Sequence, residues 1–196
     1  MDGNKLNHKD VNYIDTVLET ISYPLNTLFY NLGMTPNMVT FLSLVVALFG
    51  AYLLYKNYYL AWAFCWMISY LLDVADGQMA RRYNMVSEGG DYFDHISDNI
   101  KMIVLLIVLF FKMPFRSFLL FLLVGIIPMA LMIIISLGCQ QKIYERENPE
   151  EKEKETLDKL EWFCPFPEST QKAITRWFGV APAMMYIMII VLLFLI

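Results

Sequence analysis

Residues 73–98 read DVADGQMARRYNMVSEGGDYFDHISD, a polar and acidic stretch set between two runs apolar enough to be membrane helices. An aspartate near the centre of a bilayer costs about 2.5 to 3.5 kcal/mol on insertion scales, so acids there usually face a polar cavity in which they do chemical work. At about 3.6 residues per turn, Asp73, Asp76, Gly77 and Ala80 share one stripe of a helix, and Asp91, Asp94 and Asp98 share a stripe of the next. The polar link between the stripes, residues 82–88, is short and predicts antiparallel neighbours with their acidic ends together. Like charges gathered in this way raise one another's pKa and call for a cation. Oxygen ligands, with no Cys or His in the stripes, favour Mg²⁺ or Mn²⁺ over zinc, and Mg²⁺ commonly joins carboxylates to substrate phosphates. Gly77 and Ala80 leave the same face open to a flat or phosphorylated group, and Arg81 supplies a fixed fork for phosphate.

Composition agrees with a membrane protein independently of this stretch. The chain of 196 residues is 58% hydrophobic, with a mean hydropathy of +0.47, above the apolar content of soluble domains. A formal charge of −4 and the lack of a basic stripe exclude nucleic acid as a partner. Cys65, Cys139 and Cys164 are odd in number and widely spaced, so they read as buried or reduced thiols rather than a disulfide framework or a metal pattern.

Outward from the acidic stretch, hydrophobic spans are predicted at 38–55, 59–80, 90–111, 115–139 and 175–196, each near the roughly 20 residues that cross a hydrocarbon core. Pro128 predicts a kink in the fourth. Residues 1–10 are polar and lack the pattern of a signal peptide, and Asp2 excludes myristoylation. Val11, Ile14, Val17, Leu18 and Ile21 then recur at helical spacing opposite Asn12, Asp15 and Glu19, which predicts an amphipathic helix lying at the membrane interface. Pro24 is expected to interrupt it, Leu25, Leu28, Phe29 and Leu32 to resume its apolar face, and Thr35 with Pro36 to open the next helix. Residues 145–161 alternate Glu and Lys as a solvated helix or loop, and 162–167 are apolar but broken by prolines, fit to rest on the membrane surface. The expected fold is an all-α polytopic membrane bundle of five to six transmembrane helices with an N-terminal interfacial amphipathic helix. Its expected segments are an interfacial part at 1–34, a catalytic membrane core at 35–139, a charged segment at 140–174 and a last membrane helix at 175–196. Arg81, Arg82, the 142–172 stretch, Lys5 and Lys9 hold most of the basic charge, which places the acidic cluster at the cytoplasmic face.

Asp73, Asp76, Gly77, Ala80, Arg81, Gly90, Asp94 and Asp98 spell D-x2-D-G-x2-A-R-x8-G-x3-D-x3-D. At every one of these positions the chain resembles the signature of the CDP-alcohol phosphotransferase family, integral membrane enzymes of phospholipid synthesis. Leu32, Gly33, Met34, Thr35, Pro36 and Asn37 also resemble that family's approach to its first membrane helix. The resemblance implies two divalent ions, Mg²⁺ or Mn²⁺, held by Asp73, Asp76 and Asp94 on the pyrophosphate of a CDP-linked donor. It implies Asp98 as general base, Gly77, Ala80 and Arg81 lining the nucleotide pocket, and Gly90 allowing close packing beside it. It further implies an alcohol acceptor that displaces CMP, a surrounding of membrane lipids and a homodimer. The short chain is more like members that use CDP-diacylglycerol, whereas Phe93, Asp94, His95 and Asp98 resemble those that use CDP-choline or CDP-ethanolamine with diacylglycerol. The chain departs from the family in showing five spans where most members have six.

Three further residues lie by the signature. Asp91 reads as an ion-pair partner of Arg81 or Arg82, His95 as a packing histidine or an acceptor contact, and Lys101 as a neutraliser of the cluster or a ligand of substrate phosphate. A function of another class, a metal-ion transporter using the same carboxylates, would not need Gly77, Ala80 and Arg81 at those offsets.

Overall fold

The computed structural model describes residues 12–147 and 162–195. The expectations for residues 1–11 and for most of the charged 145–161 stretch lie outside the described residues. Helices run α1 (Tyr13–Asn31), α2 (Pro36–Tyr55), α3 (Tyr59–Arg82), α4 (Glu88–Lys112) and α5 (Phe115–Phe121). A π-helical turn at Leu122–Ile126 leads into α6 (Ile127–Glu147), followed by α7 (Glu168–Trp177) and α8 (Val180–Leu195). No strand occurs among the described residues, and the class is all-α. By length and composition α2 and the continuous run Phe115–Ile143 can cross a membrane, and α7 with α8 make a third span if the bent pair counts as one. α3 and α4, with 24 and 25 residues, reach about 36 Å at about 1.5 Å per residue, also enough to span. Their aspartates are what lower their apolar content.

The helices fall into two compact units. The first comprises Leu18–Leu120 with the end of α8. Here α2 packs against both α3 and α4. The approach of α2 to α3 needs a glycine, since a Cβ on Gly50 would stand 2.8 Å from that of Cys65. Ser43 donates to the Ser69 carbonyl at 2.8 Å and Ser69 to the Ser43 carbonyl at 3.0 Å, so neither buried hydroxyl lacks an acceptor. Asn57, at φ 68°, turns α2 into α3, and Lys112 at the end of α4 ties this turn by donating to the Tyr55 carbonyl and the Asn57 side chain. Thr35 occupies the N-cap position of α2 with Pro36 in the first turn, although its hydroxyl makes no capping bond.

Pro24 does not interrupt α1, which runs through it. The ring sits on the exposed side, and tertiary bonds on the opposite face hold the helix against the loss of one backbone bond. That face is polar. Ser22 and Asn26, both fully buried, donate to Oε1 of Gln78 at 2.6 and 2.7 Å, and Gln78 donates to the Glu19 carbonyl at 3.3 Å. Arg82 donates to the Tyr23 carbonyl at 3.0 Å and lies 3.7 Å over the Tyr23 ring, while Tyr30 stacks on Tyr83. Val17, Ile21, Leu28 and Leu32 are turned outward, the apolar exterior that an interfacial helix needs.

Among the described residues, the second unit comprises 12–17, 121–147 and 162–191. A π turn precedes Pro128, where a kink is expected, and Phe115–Ile143 continues as one run. Pro128 cannot bond the Val124 carbonyl four residues back, and the Tyr186 hydroxyl donates to that carbonyl instead. The predicted helix at 175–196 is divided, α7 and α8 being bent by 45°. Pro182 has no N–H to give to a continuous helix and fits the first turn of a new one. Carbonyls near the break are taken by side chains, Arg176 by Asn12 and Phe178 by Ser136, and Asp15 accepts from the Ala181 N–H at 3.2 Å, at the start of α8. Cys139 and Cys164 are joined in a disulfide with Cα atoms 5.2 Å apart, which corrects the expectation of separate thiols. The chain folds back over 25 residues, a proximity that sequence spacing does not reveal. Cys65 remains a free thiol.

Candidate metal and nucleotide site

The second half of α3 and the first half of α4 carry the acidic stripes, and the two halves are joined by residues 83–87, with Asn84 at φ 55° in the turn. Ser87 caps α4, its side chain accepting from the Gly90 N–H at 3.1 Å. The acidic ends meet through side chains, while α2 is the helix packed on both α3 and α4. Asp73, Asp76 and Asp94 each offer a carboxylate oxygen within 4.8 Å of the others. Asp76 is 4% exposed, and its Oδ2, like Oδ1 of Asp94, is buried with no hydrogen-bond partner among the described residues. A buried carboxylate oxygen left bare is costly. Three carboxylates and no softer ligand fit a hard divalent cation such as Mg²⁺ or Mn²⁺.

Asp98 stands apart from this trio. Its Oδ1 accepts from Lys101 Nζ at 2.9 Å, and the same ammonium lies 2.6 Å from Oδ1 of Asp73. Lys101 is 9% exposed and bridges the two helices through Asp73 and Asp98. Of the two roles left open by the sequence, the structure shows the neutralising contact.

A Cβ on Gly77 would meet the Arg81 guanidinium in ordinary contact, with Nη1 at 3.4 Å and Nη2 at 3.7 Å. Ala80 is half-buried and Arg81 exposed on the same turn. Gly90 is different in kind, because a Cβ would press on Ser87 Oγ at 2.9 Å and on Asn37 Oδ1 at 3.0 Å. It permits the start of α4 to close on α2. Asp91 does not share in the trio, and its carboxylate is 3.6 Å from His95 one turn on. Arg82 is directed at α1 rather than at Asp91.

Three participants were not evident from the sequence. Gln78, between motif positions, docks α1, and nothing in the sequence spacing singles it out. Thr40 of α2 lies beside Asp76, and nothing in the sequence pairs it with α3. Ser97, fully buried on the Asp94 side of α4, has an Oγ with no partner among the described residues.

The sequence pattern of the CDP-alcohol phosphatidyltransferase family matches residues 33–196. A CDP-diacylglycerol–inositol 3-phosphatidyltransferase of Drosophila melanogaster is 32% identical over 79 residues, which is 40% of this chain. The match spans about a third of that relative's length, 35%. No solved structure matches the chain.

Proposed function

Because the chain belongs to the CDP-alcohol phosphatidyltransferase family, we propose that it transfers a phosphatidyl group from CDP-diacylglycerol to the hydroxyl of a small polar alcohol and releases CMP. The observation that carries this reading is the trio Asp73, Asp76 and Asp94, whose carboxylate oxygens lie within 4.8 Å of one another, with a bare buried oxygen on Asp76 and another on Asp94. These residues would hold the divalent ions, two in the reading taken from the signature, as Mg²⁺ or Mn²⁺. Such ions supply a positive charge that polarises a pyrophosphate and offsets charge on the leaving CMP. Asp98 accepts the proton of the attacking hydroxyl, its position set by Lys101. The hydroxyl oxygen forms the new bond to the phosphatidyl phosphorus as the bond to the CMP oxygen breaks, in one displacement. Gly77 and Ala80 give the nucleotide a face without bulk, Arg81 meets its phosphate, and Gly90 keeps the wall beside it closed.

The Drosophila relative supports CDP-diacylglycerol as donor and makes inositol the first acceptor to test. A homodimer in the membrane is part of the same proposal. Basic charge in the sequence supports a site at the cytoplasmic face.

The test is to give the purified protein labelled CDP-diacylglycerol with inositol, serine or glycerol phosphate, and labelled CDP-choline with diacylglycerol, and to identify the lipid formed. Expected is CMP release with a phosphatidyl product from CDP-diacylglycerol, absent in EDTA and restored by Mg²⁺ or Mn²⁺ but not by Ca²⁺, whose longer bonds suit the trio poorly. Product only from CDP-choline would reassign the donor. No CMP from any donor, together with Mn²⁺ uptake into vesicles carrying the protein, would replace the transferase with a transporter.

A further inference from the structure

We propose that Lys101 is a resident cation that makes the second divalent ion conditional on the CDP donor. The inference rests on the transferase reading above. Two positions for positive charge are laid out around Asp73. One lies among Asp73, Asp76 and Asp94, where the bare oxygens are. The other lies between Asp73 and Asp98, and there the Lys101 ammonium stands, 2.6 Å from one Oδ1 and 2.9 Å from the other. A second divalent ion on Asp73 would need the Oδ1 that Lys101 holds, at the roughly 2.0–2.1 Å that Mg²⁺ requires. The ammonium and the ion repel each other and cannot share it. The first ion therefore enters without moving Lys101, and the second enters only when Lys101 leaves.

The ammonium is buried and cannot withdraw without another acceptor. Its flexible four-carbon stem allows a short swing. A donor pyrophosphate laid beside Gly77, against the Arg81 guanidinium that stands there, offers the acceptor oxygens that Asp73 and Asp98 supply in its absence. Donor binding thus frees Oδ1 of Asp73 for the second ion and releases Asp98 from the ion pair. Lys101 acts through these aspartates, as a positioning residue.

The test counts Mn²⁺ ions retained per chain by equilibrium dialysis of detergent-solubilised protein, with and without CDP. The wild type is expected to hold one ion without CDP, its second site at least ten-fold tighter with CDP present. Lys101→Met is expected to hold two ions without CDP, and Lys101→Arg, which keeps the charge, to hold one. Two ions on the wild type without CDP, or a single ion on a folded Lys101→Met protein, would overturn the proposal and leave the transferase reading standing. If Lys101→Met does not fold, the wild-type counts and Lys101→Gln, expected to hold two, decide. No Mn²⁺ on any of the proteins, with or without CDP, would overturn both the metal reading and the proposal.

Discussion

Asp98 differs from the other aspartates of the signature in what surrounds it. Within the trio, Asp76 and Asp94 hold bare, buried oxygens, whereas Asp98 is 46% exposed at its side chain and, like Asp73, has an oxygen on Lys101. A carboxylate in reach of solvent and of an incoming hydroxyl can pass on a proton, which is the role proposed for Asp98. Asp98→Asn keeps the shape but removes the proposed base, so turnover should fall by about 10²-fold or more. Mn²⁺ binding by the trio should persist. Near wild-type turnover in this variant would transfer the role to another group, with Asp91 first in line. Ala80→Leu tests the neighbouring wall. Leucine suits a membrane helix, so the protein should fold and yet lose CDP binding in a dialysis measurement. Unchanged CDP affinity would mean that the nucleotide lies elsewhere.

The elements are fastened by buried polar contacts as much as by apolar packing. α1 is the clearest case, because it buries Ser22 and Asn26 and shows Val17, Ile21 and Leu28 outward. Its attachment depends on Gln78, whose carbonyl oxygen accepts from both. Gln78→Leu takes the acceptor from the buried Asn26 amide, at about 1–3 kcal/mol, while the Ser22 hydroxyl keeps the Glu19 carbonyl at 2.9 Å. Expected are a lower melting temperature in detergent and faster hydrogen exchange in α1, with exchange in the middle of α2 unchanged. Replacing all three by apolar residues, Ser22→Ala, Asn26→Leu and Gln78→Leu together, should recover most of the loss, since removing both partners of a buried bond is far less costly than removing one. If the single and triple variants melt alike, α1 is held by its ring contacts, Tyr30 on Tyr83 and Arg82 over Tyr23.

For the whole molecule, the proposed orientation can be read with single cysteines in a cysteine-free background. Val86, 67% exposed in the link between α3 and α4, and Tyr58, 62% exposed between α2 and α3, mark opposite ends of α3. In sealed right-side-out vesicles an impermeant maleimide should label Tyr58→Cys at once and Val86→Cys only after permeabilisation. Immediate labelling at Val86 would place the acidic site on the outer side. The sequence by itself determined the helical class and the acidic stripes, since hydrophobic runs and a spacing of three and four residues are local properties of a chain. It also determined the turns at Asn57 and before Ser87, where short polar links leave little choice of path. Only the tertiary structure decided which acids share a cation-sized space and which two are held by Lys101. The reason is that a separation of a few ångströms between α3 and α4 depends on how α2 supports both. It alone decided that α1 runs through Pro24 with its polar face inward, because the donors that reward this arrangement find their acceptor on α3. The Cys139–Cys164 pair belongs with these, formed by a fold-back that no local pattern encodes.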